Sequence, residues 1–258
     1  MSHIGIKYSE KIDIDFNISE STKNIQLSEK SKQVIKDYTS TNMFAEEFDC
    51  DLILQTNDSL IVGFDFICNG KKLVIPEINP VTIYYANARM SSIKIKKYKK
   101  KLISYSQKGK LNSHVFGDYF QLSFNCIINL QSAIETFANK IIQENNYVII
   151  DEKTRKPKKA NIHDKINALA IINSKEFESE YNDEYQDIKN LILIRNQMIH
   201  LKPEKQITNT KYKIPYRKIL EFNFDKTLES AGIFLNYYEK DLIQECECGN
   251  DFYFDIIK

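Results

Sequence analysis

Arg195, the adjacent Asn196 and His200 five positions on, within RNQMIH, are the side chains of this sequence best suited to chemistry. A guanidinium offers a planar fork of donors to a phosphate, and an imidazole can take or give a proton near neutral pH. An Arg to hold a phosphate and a His to move protons suit phosphodiester chemistry. The motif lies in Asp187 to Pro203, DIKNLILIRNQMIHLKP. Ile188, Ile192, Arg195 and Ile199 share one helical stripe, and Leu191, Ile194, Met198 and Leu201 the next. A helix apolar over so much of its circumference is expected to be buried, in a core or a subunit interface. Arg195 would then sit among residues that exclude water and would need something anionic beside it. Five residues along a straight helix amount to about 140° of rotation and roughly 7.5 Å of rise, so Arg195 and His200 would not share a face. Pro203 disfavours helical geometry at Lys202, which sets a helix end near Leu201 and lets the chain re-aim His200 there.

A second helix must support the first. Phe120, Phe124, Ile127, Ile134, Ala138 and Ile141 recur at helical spacing, interrupted by Gln131, and predict a helix from about His114 to Asn145. Glu135 lies beside this stripe. A carboxylate there is either an edge residue in water or the partner of a buried cation, and Arg195 is the candidate cation. Lys94, Lys96, Lys97, Tyr98, Lys99, Lys100 and Lys101 fall within a span of ambiguous period from Val81 to Ser106, read as helix. Six lysines in eight residues are either a solvated face or a patch that tracks phosphates, with Tyr98 available to stack on a base. Asp151 to Ala160 is a charged connection, read as a solvated loop. A short helix follows from Ile162, with His163 near its exposed start. Lys205 to Arg217 reads as a polar connection, and Leu228, Ala231, Leu235, Tyr238 and Leu242 as a final amphipathic helix.

The first 80 residues differ in character. Ile12, Ile14, Phe16 and Ile18 alternate with polar residues and predict a half-buried strand. Leu27 to about Phe48 is helical in pattern, with Ser28 as N-cap. Leu52 to Leu54, Leu60 to Cys68 and Lys72 to Ile75 are strand-like, divided by Thr56-Asn57-Asp58-Ser59 and by Asn69-Gly70, a strong hairpin signal. Pro76 and Pro80 close the meander.

At RNQMIH, preceded by the long LQSAIETFANKII helix with its acidic residue, the sequence resembles the HEPN superfamily: Arg, a polar residue, a short gap, then His near the end of an inner bundle helix. The resemblance covers about Asn112 to Glu247. It implies an all-α bundle that forms a homodimer with both motifs facing across a two-fold axis. Catalytic members are metal-independent endoribonucleases leaving 2′,3′-cyclic phosphates, many of them toxins or phage-defence effectors, which would add an antitoxin or regulatory protein to RNA as partners. Inactive members imply the alternative of a nucleotide- or protein-binding dimer. Some toxin members carry Tyr two residues after the His, where this chain reads His200-Leu201-Lys202. In the catalytic reading Arg195 holds the scissile phosphate, His200 moves protons, Asn196 orients the phosphate or His200, and Glu135 positions Arg195.

The expected fold class is therefore α+β: a small α+β domain with a β-meander over residues 1–80, then a HEPN-like helical bundle over 81–258 with its core at about 112–247. The 258 residues carry a net charge of +1, so attraction to RNA must come from local patches. No run of about 18 apolar residues suggests a membrane span, and the start does not read as a signal peptide. Five scattered Cys fit a cytoplasmic chain with reduced thiols. Cys246-Glu247-Cys248 has no second pair or His nearby in sequence, too little for tetrahedral zinc, and only seven Gly argue against a phosphate loop. No metal or cofactor is expected.

Overall fold

The computed structural model describes residues 3–14, 26–56, 59–110, 112–151, 153–201, 203 and 210–248. The fold is α+β. The chain divides into two compact units, Ile6–Asn79 and a helical unit of Pro80–Lys258 joined by Met1–Gly5. That the first few residues belong with the helical unit was not legible in the sequence.

In the smaller unit, β1 (Lys11–Asp13), β2 (Leu52–Gln55) and β4 (Lys71–Pro76) all pair antiparallel with the long β3 (Ser59–Cys68). Asn69 and Gly70 both adopt positive φ, 51° and 73°, the geometry of the tight turn that matches strand twist in a two-residue hairpin. Gly63 sits where β2, β3 and β4 meet; a Cβ there would lie 2.8 Å from the Ile75 carbonyl oxygen. β1 differs from expectation: its three residues are exposed, Ile12 included, and Phe16 and Ile18 lie outside the described residues. Asn57 and Asp58 lie outside them as well. Helix α1 (Glu29–Ser40) starts where Ser28 accepts the Ser31 N–H at 3.1 Å, and it ends sooner than the pattern suggested, with a separate 3-10 turn at Ala45–Phe48. Lys72 ties the end of α1 to the sheet. Its Nζ donates to the Tyr38 and Met43 carbonyls at 2.7 and 2.6 Å and lies over the Tyr38 ring.

The helical unit comprises α2 (Pro80–Gln107), α3 (Ser113–Glu144), α4 (Ile162–Asn173), the single turn α5 (Phe177–Glu180), α6 (Asn182–Ile199), α7 (Lys213–Glu221) and α8 (Phe224–Tyr238). Side chains start several of them. Asn112 accepts the Val115 N–H, Asn161 and Asp164 form a reciprocal capping box, and Asn223 accepts the Lys226 N–H. α3 is the central helix, packing on α2, α4, α6 and α8. Its buried row is Tyr119, Ser123, Cys126, Ile127, Leu130, Ala133, Ile134, Phe137 and Ala138, while Phe120, Phe124 and Ile141 are only partly buried. The core face is thus rotated slightly from the stripe read in the sequence and takes in Gln131, which is 2% exposed. Burial pushes the Cys126 thiol up to about 12, as befits an inert core residue. α7 corrects the sequence reading of a polar connection. Tyr212, Tyr216, Ile219 and Leu220 are spaced for a helix, and Pro215 is tolerated in its first turn, where no intrahelical N–H bond is lost. Residues 205–209 of that connection lie outside the described residues. Among the described residues no helix is long and apolar enough to cross a membrane.

Candidate functional site

Helix α6 carries Arg195, Asn196 and His200 at its C-terminal end. It is anchored by Tyr185, Ile188, Leu191, Ile192, Ile194 and Met198, all buried. Asp187 fixes it further, accepting from the Ser230 hydroxyl at 2.8 Å and pairing with Lys226 at 3.2 Å, both on α8. The opposite side is open. Leu193 is 52% and Ile199 46% exposed, and Asn196 and His200 are exposed beside them. The helix is therefore less enclosed within the chain than its composition suggested, and Arg195 is half-buried rather than shut away from water. α6 ends at Ile199, two residues before the expected stop. His200 is the C-cap, with φ −107° and ψ 36°, so the 140° offset of a continuous helix no longer governs its direction. Lys202 lies outside the described residues. Asn196 Oδ1 accepts from the Arg195 guanidinium at 3.2 Å, while the backbone bond that closes the helix runs from the His200 N–H to the Asn196 carbonyl at 3.1 Å.

Glu135 does not join them. It accepts a 2.6 Å hydrogen bond from Lys165 of α4, and the Lys165 side chain is only 15% exposed. The expected Glu135–Arg195 pair is replaced because α4 also packs on α3 and presents a cation to the same row. Periodicity gives a residue its face but does not choose among the helices that cover that face. We expect Glu135→Ala to destabilise the helical unit by about 1–2 kcal/mol, between the values for surface and fully buried pairs, because a half-sheltered ammonium loses its partner. In double-mutant cycles Glu135→Ala should couple to Lys165→Met and add independently to Arg195→Met. Coupling to Arg195 instead would show that the pairing changes in solution.

The lysine run serves two purposes. Ile95 and Leu102 of α2 are buried in the core. Lys96 pairs with Asp225 at 3.0 Å, and Lys99 donates to the Leu220 carbonyl, near the end of α7 where helix carbonyls lack internal partners. Lys94, Lys97, Lys100 and Lys101 are exposed, with Lys94, Lys97 and Lys101 on one stripe. Tyr98 is half-buried, and interaction with the Asp118 carboxylate of α3 raises its hydroxyl above the ordinary value.

Sequence reasoning missed a cleft of about 610 Å³ between the start of α3 and α7. Phe116, Phe120, Tyr212 and Tyr216 line it together with Lys211 and Arg217. The Phe120 and Tyr216 rings are 4.7 Å apart. Leu220, whose carbonyl Lys99 caps, lines the same cleft, and Lys218 of α7 donates to Gln197 of α6 at 3.1 Å. α7 thus connects the cleft to α2 on one side and to α6 on the other. Its only sequence signal was the aromatic spacing of Tyr212 and Tyr216. A second cavity of about 350 Å³ contains Arg89, Lys96, Asp225 and Glu245, whose charges pair with one another. Finally, His3 comes to rest beside Cys246 and Cys248, so the expectation that the Cys pair has no His neighbour is corrected.

Comparisons with protein-family models, with curated proteins and with solved structures find no match to this chain.

Proposed function

We propose that the helical unit is a HEPN-type endoribonuclease acting as a cytoplasmic homodimer. The observation that carries this reading is the exposed face at the end of α6. There the Arg195 guanidinium is bonded to the Asn196 side chain, His200 follows at the C-cap, and the exposed Leu193 and Ile199 lie beside them. An exposed apolar pair beside polar, chemically capable residues is what an incomplete site at a subunit interface presents. In the proposed reaction the RNA 2′-oxygen attacks the adjacent phosphorus and the bond from phosphorus to the 5′-oxygen breaks. His200 of one copy takes the 2′-hydroxyl proton, and His200 of the second copy gives a proton to the leaving 5′-oxygen. Arg195 stabilises the charge that develops on the phosphate, and Asn196 holds the guanidinium in place. The nucleophile is internal to the substrate, so these steps use side chains alone. Glu135, paired with Lys165, has no part in them.

The aromatic cleft and the lysine stripe support RNA as the substrate, since rings take bases and cations track the backbone. The test is incubation of the untagged chain with purified single-stranded RNA in buffer without added divalent cations. The expected products end in 2′,3′-cyclic phosphate and 5′-hydroxyl. RNA that is bound in the cleft but left intact would favour the second reading, a non-catalytic nucleotide-binding dimer, for which the cleft volume is adequate.

The lysine stripe makes its own prediction. Neutralising Lys94, Lys97 and Lys101 should weaken RNA binding whatever the sequence. For each phosphate of a single strand that a lysine no longer neutralises, the logarithmic salt slope should fall by about 0.7. Substituting Lys96 or Lys99 should act on thermal stability instead, because those two hold helices together. Equal salt slopes for the wild type and the triple variant would identify the stripe as a solvated face.

A further inference from the structure

The N-terminal segment and the chain following α8 pair as a short antiparallel ladder. Ile4 lies opposite Glu245, Gly5 N–H donates to the Gln244 carbonyl at 3.0 Å, and Cys246 N–H donates to the His3 carbonyl at 2.7 Å. Both sides are anchored in the helical unit. Ile4, Leu242 and Ile243 are buried in its core, and Asn236 of α8 holds Ile243 through both its N–H and its carbonyl, at 2.7 and 2.9 Å. Arg89 of α2 grips Glu245 at 2.8 Å. This scaffold brings His3 to two cysteines from which sequence distance had separated it. A ring nitrogen of His3 and the sulfurs of Cys246 and Cys248 all lie within 4.8 Å of one another. His3 is buried, and its Nδ1 and Nε2 are 3.7 and 3.9 Å from the Cys248 sulfur.

We infer that His3, Cys246 and Cys248 form a zinc site that joins the two ends of the helical unit. A tetrahedral zinc with bonds of about 2.3 Å to sulfur and 2.0 Å to nitrogen sets its ligands roughly 3.5–3.8 Å apart. The His3–Cys248 separation is already of that size, and no pair in the cluster needs to contract by more than about 1.3 Å. Two thiolates and an imidazole suit zinc, whereas calcium and magnesium prefer oxygen ligands. On binding, both thiols lose their protons, so the site takes up one zinc ion and releases two protons, with solvent in the fourth position. The metal adds a bond between strands already held by hydrogen bonds, and its effect is on the closure of the chain ends. The inference stands apart from the ribonuclease reading, because none of the three ligands belongs to the α6 site.

The test uses the untagged, reduced, metal-free full chain titrated with cobalt(II), a coloured substitute for zinc. One equivalent should produce the thiolate charge-transfer and intense visible bands of tetrahedral cobalt, and zinc should displace it. Cys246→Ser, Cys248→Ser and His3→Ala should each weaken zinc binding by about a hundredfold or more, exceeding the loss from removing an outer partner of a metal ligand. Cys68→Ser, which alters an exposed thiol in the other unit, should bind as the wild type does. Zinc should raise the melting temperature of the wild type and leave that of Cys248→Ser unchanged; because Cys248 is exposed, the variant should remain folded. A reduced wild type that yields no such spectrum overturns the inference, as does full binding by Cys248→Ser. So does a Cys246–Cys248 disulfide whose reduced form takes up no metal.

Discussion

His200→Ala is expected to lower the rate of RNA cleavage by at least about a hundred- to ten-thousandfold while leaving the fold intact. That is the magnitude of losing one positioned general acid or base, and the variant homodimer loses both. The structural half of the expectation follows from position. His200 is exposed at the C-cap of α6, and the hydrogen bond that ends the helix uses its backbone N–H, which alanine also supplies. Thermal melting should therefore match the wild type within about half a kcal/mol, the range for surface substitutions. Arg195→Ala should reduce the rate comparably through loss of charge stabilisation. Arg195→Lys should recover little of it, because a point charge cannot reproduce the planar fork that reaches both a phosphate and Asn196 Oδ1. Unchanged cleavage by His200→Ala would end the assignment of the reaction to the α6 site.

How well the sequence foretold the molecule depended on whether a feature was local. Ser28 as N-cap, the Asn69-Gly70 turn, the long α3 and the end of α6 to within two residues all rest on neighbours along the chain, and short-range spacing showed them, although α6 starts at Asn182, before Asp187 where the sequence reading begins it. The division at Asn79 and Pro80 lies where Pro76 and Pro80 close the meander. Features that depend on which surfaces meet were hidden. Glu135 was rightly suspected of needing a cation, but Lys165 supplies it, since three helices besides α2 cover α3. The neighbourhood of His3 and Cys246 spans nearly the whole chain and leaves no trace in spacing. α7 was obscured for a simpler reason. Pro215 and its basic neighbours look like a loop unless the proline is counted at the helix start.

Two leucines two positions apart on α6 should give opposite results, and together they test the proposed assembly. Leu191 is fully buried against the core, so Leu191→Ala leaves a cavity and should cost about 2–5 kcal/mol. That lowers the melting temperature of the helical unit by roughly 5–15 °C. Leu193 points the other way and is 52% exposed, so Leu193→Asp should leave the melting of an isolated chain nearly unchanged. In the proposed dimer, however, Leu193 lies in the interface with Ile199. An aspartate there buries a charge without a partner and should drive the dimer apart at micromolar concentration. Each His200 would then lose its counterpart, and cleavage should fall with the dimer fraction although Arg195, Asn196 and His200 are intact. Sedimentation and activity measured on the same samples decide the matter. If Leu193→Asp remains dimeric and active, the copies meet through another face, and the open side of α6 must work without a second His200. If it becomes monomeric yet cleaves at the wild-type rate, one His200 suffices and the paired-histidine mechanism fails.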